Sequence, residues 1–152
     1  MKTLSLKNYL AIAAFGLSSF AINANAETDP ATVKVLNRAE FDTLLKNPED
    51  LIVIDLRRPD ELTNIGGFPV YLSIQSSDLA KQLAWIPKDR KVVTVSNHAS
   101  RAKRGAAVLI DADFEVVGAV GAQDYETQGG ALAKISPPAP KDPAAPAAPA
   151  AN

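Results

Sequence analysis

Two short runs constrain the fold more than any other feature of the chain. Leu51-Ile52-Val53-Ile54 and Val92-Val93-Thr94-Val95 are each almost continuously apolar and β-branched. A strand with one wet face alternates apolar and polar side chains. A strand covered on both faces reads as an unbroken apolar run, as in the middle of a parallel sheet. Helical patterns lie around these runs. Asn37, followed three residues later by Glu40, makes a capping-box-like start for a helix carrying Phe41, Leu44 and Leu45, which Asn47-Pro48 ends. Ser77 is expected to cap a second helix whose Leu79, Leu83, Trp85 and Ile86 face the core, with Pro87 to Arg90 as the following turn. Ala102 to Ile110 reads as an alanine-rich helix. Shorter strands are expected at Val33 to Leu36, around Tyr71 to Ile74, and from Glu115 to Val120. Strands alternating with helices predict an α/β fold, a parallel sheet flanked by helices on both faces.

The two ends read differently from this middle. Lys2 and Lys7 precede an apolar run from Tyr9 to Ile22 and then Ala24-Asn25-Ala26, the small-x-small pattern that a signal peptidase cuts. Cleavage after Ala26 is the expectation, because Gly16, Ser18 and Ser19 leave the run short of the ~20 apolar residues of a spanning helix. A lipid anchor at the cut needs a cysteine, and the chain has none. The expected product has no stable membrane anchor and resides in an exported compartment, the periplasm of a bacterium. Residues 27–30 form a short lead-in, and the folded unit is expected over residues 31–135. Residues 136–152 hold six prolines and seven alanines. Such a segment builds no core and favours extended polyproline II structure, so it reads as a solvated tail.

Composition removes whole classes of function. The chain carries 16 Lys and Arg against 17 Asp and Glu, which gives no electrostatic footprint for nucleic acid. Its single histidine, His98, cannot build a zinc site from several imidazoles, and the absence of cysteine excludes disulfides, thiolate metal sites and sulfur nucleophiles. No metal or other cofactor is implied.

In open α/β sheets ligands sit beyond the carboxyl ends of the strands. That directs attention to Asp55-Leu56-Arg57-Arg58 and to the loop Ser96-Asn97-His98-Ala99-Ser100-Arg101. The second of these runs from a buried strand straight into a helix N-terminus, a geometry that can aim several backbone N–H groups at one anion. The run from Lys91 to Arg101 resembles the strand and active-site loop of rhodanese-like sulfurtransferase domains, whose motif is Cys-x-x-x-x-Arg. Asp55-Leu56-Arg57 is similar to that family's Asp-Val-Arg, and Pro59, Glu61 and Leu62 resemble the segment after it. The resemblance implies a rhodanese-like fold over nearly all of Val33 to Tyr125. It also implies an anion-binding loop of Ser96, Asn97, His98, Ala99, Ser100 and Arg101, with Asp55 and Arg57 in support.

The departures from the family's pattern are chemical. Ser96 stands where the family's catalytic cysteine is expected, and Gly66-Gly67-Phe68-Pro69-Val70-Tyr71 replaces Gly-His-Ile-Pro-Gly-Ala. The segment Val120-Gly121-Ala122-Gln123-Asp124-Tyr125 is only loosely similar to the family's Gly-Gly segment and aromatic. The family's transfer of sulfane sulfur passes through a cysteine persulfide, which an oxygen cannot form. As a plain nucleophile, a hydroxyl with a pKa near ~15.7 lies about seven units above a thiol at ~8.5, or roughly 10 kcal/mol of added deprotonation cost. A cradle that moves pKa values by ~2–5 units leaves that gap open unless a base helps. His98 is the candidate base, with Asp55 or Asp124 as its orienting carboxylate.

Three readings are consistent with the sequence. The leading one is an exported, catalytically inactive rhodanese-like domain that acts as an accessory module. It would bind a small oxyanion (thiosulfate, sulfate or phosphate) or a periplasmic protein through the loop amides and Arg101, with Arg57, Arg58, Lys103 and Arg104 as a positive rim. The second is an enzyme of altered chemistry, either a Ser96-based hydrolase or a sulfurtransferase completed by a partner's cysteine. The third is a structural interaction protein that docks through its Pro/Ala tail.

Overall fold

The computed structural model describes residues 27–134. The expected leader, 1–26, and the Pro/Ala-rich segment, 136–152, lie outside the described residues. The chain runs α1 (Arg38–Leu44), β1 (Leu51–Asp55), α2 (Pro59–Ile65), β2 (Leu72–Ser73), α3 (Leu79–Gln82), β3 (Lys91–Ser96), α4 (Ser100–Asp111), β4 (Val116–Gly121) and α5 (Ala122–Thr127). The four strands form one parallel sheet in the order β2-β1-β3-β4. The two apolar runs are its central pair, in register from Leu51 opposite Lys91 to Asp55 opposite Val95.

Their unbroken apolar character has the expected cause. Leu51 and Val53 join Val93, Val95, Phe41, Phe68 and Tyr125 in a core on one face. Ile52 and Ile54 join Val92, Leu79, Ile86, Leu109 and Phe114 on the other. Helices therefore cover both faces of the sheet, and alternate side chains of each central strand feed different cores. On the first face Phe41, Phe68 and Tyr125 meet edge to face in all three pairings, with ring centroids 4.8 to 6.0 Å apart. The capping box of α1 forms as read: the Asn37 side chain accepts from the Glu40 amide and Glu40 accepts from the Asn37 amide, both at 3.0 Å.

Several sequence expectations are corrected. Val33 to Leu36 is no strand; it contributes one parallel bridge, Val35 opposite Ala119, at the β4 edge. The strand expected at Tyr71 to Ile74 shrinks to Leu72–Ser73, and the strand read from Glu115 begins at Val116. Asp78, not Ser77, precedes α3, which gives way after Gln82 to a tighter turn over Leu83–Trp85. Trp85 is not core: it is 82% exposed. Leu79, Leu83 and Ile86 recur at i, i+4 and i+7 and share the buried stripe, whereas position i+6 falls off that stripe and the tightened turn carries it further out.

Candidate functional site

The carboxyl ends of β1 and β3 lie side by side, and each leads into a loop carrying charge. After β1, Asp55 and Arg57 are both fully buried. Asp55 Oδ1 accepts from the Arg57 amide at 3.1 Å and from its Nε at 2.9 Å, and Oδ2 accepts from Nη2 at 2.7 Å. Nη2 also donates to the Gly66 carbonyl at 3.0 Å. Gly66 closes α2 at φ +104°, a backbone that favours glycine, so its carbonyl can turn toward the guanidinium. The pair thus braces the β1 loop against the end of α2.

After β3, Ser96 is 1% exposed, and its Oγ accepts the Ala102 amide at 2.9 Å. Two residues earlier on the same strand, the Thr94 hydroxyl donates to the Ala102 carbonyl at 2.9 Å. Two strand hydroxyls therefore grip both polar groups of one residue in the first turn of α4. Ser96 satisfies a helix N–H that lacks an intrahelical partner.

The remaining loop side chains are tied to other elements. Glu61, in the first turn of α2, is the hub. Its Oε1 accepts from Arg101 Nη2 at 2.6 Å and from Asn97 Nδ2 at 2.7 Å. Its Oε2 accepts from Arg101 Nη1 at 2.9 Å and from the Arg58 amide at 2.8 Å. The Arg101 guanidinium holds the Glu61 carboxyl down at about 2 against an ordinary 4.5, and Glu61 in turn raises Arg101. On the far side of the loop, Asp124 Oδ1 lies 2.9 Å from His98 Nδ1, and the Gln123 amide donates to the Asn97 carbonyl at 3.0 Å. Gly121 makes this possible, because a Cβ there would run into the Asp124 carboxylate and sit 2.9 Å from the Ala99 amide nitrogen.

No family model matches the sequence, and no curated protein matches it. Solved structures do. A rhodanese-related protein from Thermoplasma volcanium superposes with a TM-score of 0.58 at 23% identity, over 67% of this chain and 99% of its own. A Rhodopseudomonas palustris protein of unknown function, described as a possible tyrosine phosphatase, gives 0.59 at 21%, over 67% of this chain and 86% of its own. A rhodanese-like domain protein from Staphylococcus aureus gives 0.54 at 17%, over 60% of this chain and 89% of its own. The chain has a rhodanese-like fold.

Within that rhodanese-like fold, the arrangement of side chains bears directly on each sequence reading. A base and its carboxylate are present as His98 and Asp124, but the Ser96 hydroxyl is sealed and makes no hydrogen bond to His98 among the described residues. Nor do the five cations gather into a free positive rim. Arg57 is spent on Asp55, Arg58 on Asp60 at 2.9 Å and Arg101 on Glu61; Lys103 reaches the Ala31 carbonyl and Arg104 the Ser100 hydroxyl. Among the described residues, the amides of Asn97, His98, Ala99 and Arg101 have no protein acceptor, while the Ser100 amide turns back on the His98 carbonyl. Glu61, which the sequence analysis names only within the segment resembling the family's, is the residue that ties the β3 loop to α2. Its signal was there, since Pro59-Asp60-Glu61 places proline and two acids in a helical first turn.

Proposed function

We propose that the protein is an exported, catalytically inert rhodanese-like module. Its loop from Ser96 to Arg101 would hold a small oxyanion of the thiosulfate, sulfate or phosphate class, or an acidic side chain of a protein in the same compartment. The observation that carries this reading is the contrast inside one loop. Ser96 Oγ is buried and committed to the Ala102 amide, whereas the neighbouring amides of Asn97, His98 and Ala99 have no acceptor among the described residues. Those amides precede a 12-residue helix whose dipole favours negative charge at that end. Arg101 contributes by fixing the loop against Glu61. Export rests on the amino-terminal pattern from Lys2 to Ala26.

The test joins chemistry to binding. Thiosulfate:cyanide transfer is expected to be absent in the mature protein and to appear in Ser96→Cys, whose sulfur would take the place of the hydroxyl facing the Ala102 amide. Thiosulfate or sulfate at a hundredfold excess over its Kd should add about 2.7 kcal/mol of stability, read as a higher Tm. Arg101→Ala should abolish that rise. Transfer by the unaltered protein, or no rise in Tm with any of the three oxyanions, would overturn the reading.

A further inference from the structure

An apolar groove lies away from the loops, on the β2 edge of the sheet. Strand β2 pairs only with Ile54 and Asp55, so Leu51, Ile52 and Val53 have no neighbouring strand on that side among the described residues. They form the floor of a groove of about 300 Å³, walled by Val70, Tyr71, Leu72, Trp85, Pro87 and Arg90. Val70 is 69% exposed, Leu72 42% and Trp85 82%. An exposed apolar patch with an indole at its rim marks a binding surface rather than an ordinary stretch of surface.

We propose that the chain's own carboxyl-terminal segment, residues 136–152, docks in this groove. The reach suffices. Ala133 pairs antiparallel with Gly67 through two backbone hydrogen bonds of 2.8 and 2.9 Å, so the chain leaves this bridge toward Ile65 and has to turn back to reach Val70 on the groove wall, three residues beyond Gly67. Three residues span at most about 11 Å, whereas a segment of this length in polyproline II form reaches about 50 Å. The sequence supplies the complementary shape. Pro137, Pro140, Pro143, Pro146 and Pro149 recur at every third position, with alanine filling most of the positions between. A polyproline II helix has three residues per turn, so these five prolines line a single ridge. Proline ridges seat in grooves walled by aromatic rings, here Trp85 and Tyr71. Arg90 of the groove wall already lies 3.9 Å from Asp89, and Lys141 stands beside Asp142 in the segment, so the fit rests on shape rather than on charge.

Trp85 is the protein's single tryptophan and reports on its own surroundings. In the mature chain, residues 27–152, acrylamide should quench Trp85 about twofold less effectively than in a variant carrying Pro140→Gly, Pro143→Gly and Pro146→Gly, because tethering holds the ridge at a millimolar effective concentration. The emission maximum should move to the red in the variant, and a peptide of residues 135–152 should protect the variant again when added in excess. Both cores are built from residues before the segment, so the far-ultraviolet circular dichroism of the folded unit should stay unchanged. Equal quenching in the two proteins overturns the proposal. So does protection that grows with protein concentration, which would assign the groove to a second copy.

Discussion

The loop leaving β1 holds its arginine against a carboxylate two residues away, with both side chains sealed from water. The loop leaving β3 holds its arginine against a carboxylate forty residues away that keeps some contact with solvent. Geometry is bidentate in both, but the energetic consequences differ. Burying two charges costs several kcal/mol per ion, and the pair is tolerable only while both partners remain; Arg57 Nη1, buried with no partner among the described residues, adds to that cost. At Asp55–Arg57 every bond serves the scaffold. At Glu61–Arg101 the same chemistry fixes a loop whose amides stay available. The first loop is closed on itself, and the second is held open by an ion pair beside it.

Arg57→Ala should break the closed loop and have a larger effect than any substitution in the open one. It strands the Asp55 carboxylate in a site with no water contact and removes the donor to the Gly66 carbonyl, which predicts a loss of about 3–5 kcal/mol in chemical denaturation. A loss below about 1 kcal/mol would show that the pair is solvated in solution and would erase the contrast with the β3 loop.

That contrast also explains what was legible in the sequence. Asp55 and Arg57 are neighbours along the chain, and the four-residue apolar runs announce strands buried on both faces, so the central sheet and the first brace could be read directly. The capping box at Asn37 and Glu40 is equally local. Glu61 and Arg101 meet only after the chain has folded, and nothing within a few residues of either names the other. The short helices α2 and α5 lack the length that makes apolar periodicity readable, although Pro59 and its two acids mark where α2 starts. Trp85 failed for a different reason. Its apolar surface suggested core, but its position in the helical repeat placed it outside, where an edge strand of two residues leaves a groove uncovered.

Glu61→Gln sharpens the comparison from the open side. A carboxyl held at about 2 instead of 4.5 corresponds to at most about 3 kcal/mol at neutral pH, and its remaining contact with solvent screens part of that. Because the folded state lowers this pKa, the contribution is complete above about 4.5, declines as pH falls, and is gone near 2. The variant should therefore be about 1–2 kcal/mol less stable than the unaltered protein at pH 7, with the difference vanishing toward pH 2. Denaturant titrations at a series of pH values read it out; a pH-independent difference would mean that lost packing, not charge, is responsible.

Ser96→Ala should have the smallest effect, and it separates a structural hydroxyl from a reactive one. The substitution leaves the Ala102 amide without its acceptor at the buried first turn of α4, where losing a capping oxygen costs about 1 kcal/mol. Thr94→Val removes the other grip on Ala102, its hydroxyl bond to the carbonyl, and should cost a similar amount. Both hydroxyls act on one residue, so their losses should be coupled: the double variant should be destabilised by an amount differing from the sum of the singles, because Ala102 loses its attachment to β3 altogether. A hydroxyl whose role is to react rather than to hold the helix predicts something else, namely full stability in Ser96→Ala and strict additivity with Thr94→Val. Thermal melts of the four proteins decide between these outcomes. The serine at the family's cysteine position is then either the peg that keeps α4 seated on β3 or a group the scaffold can lose without consequence.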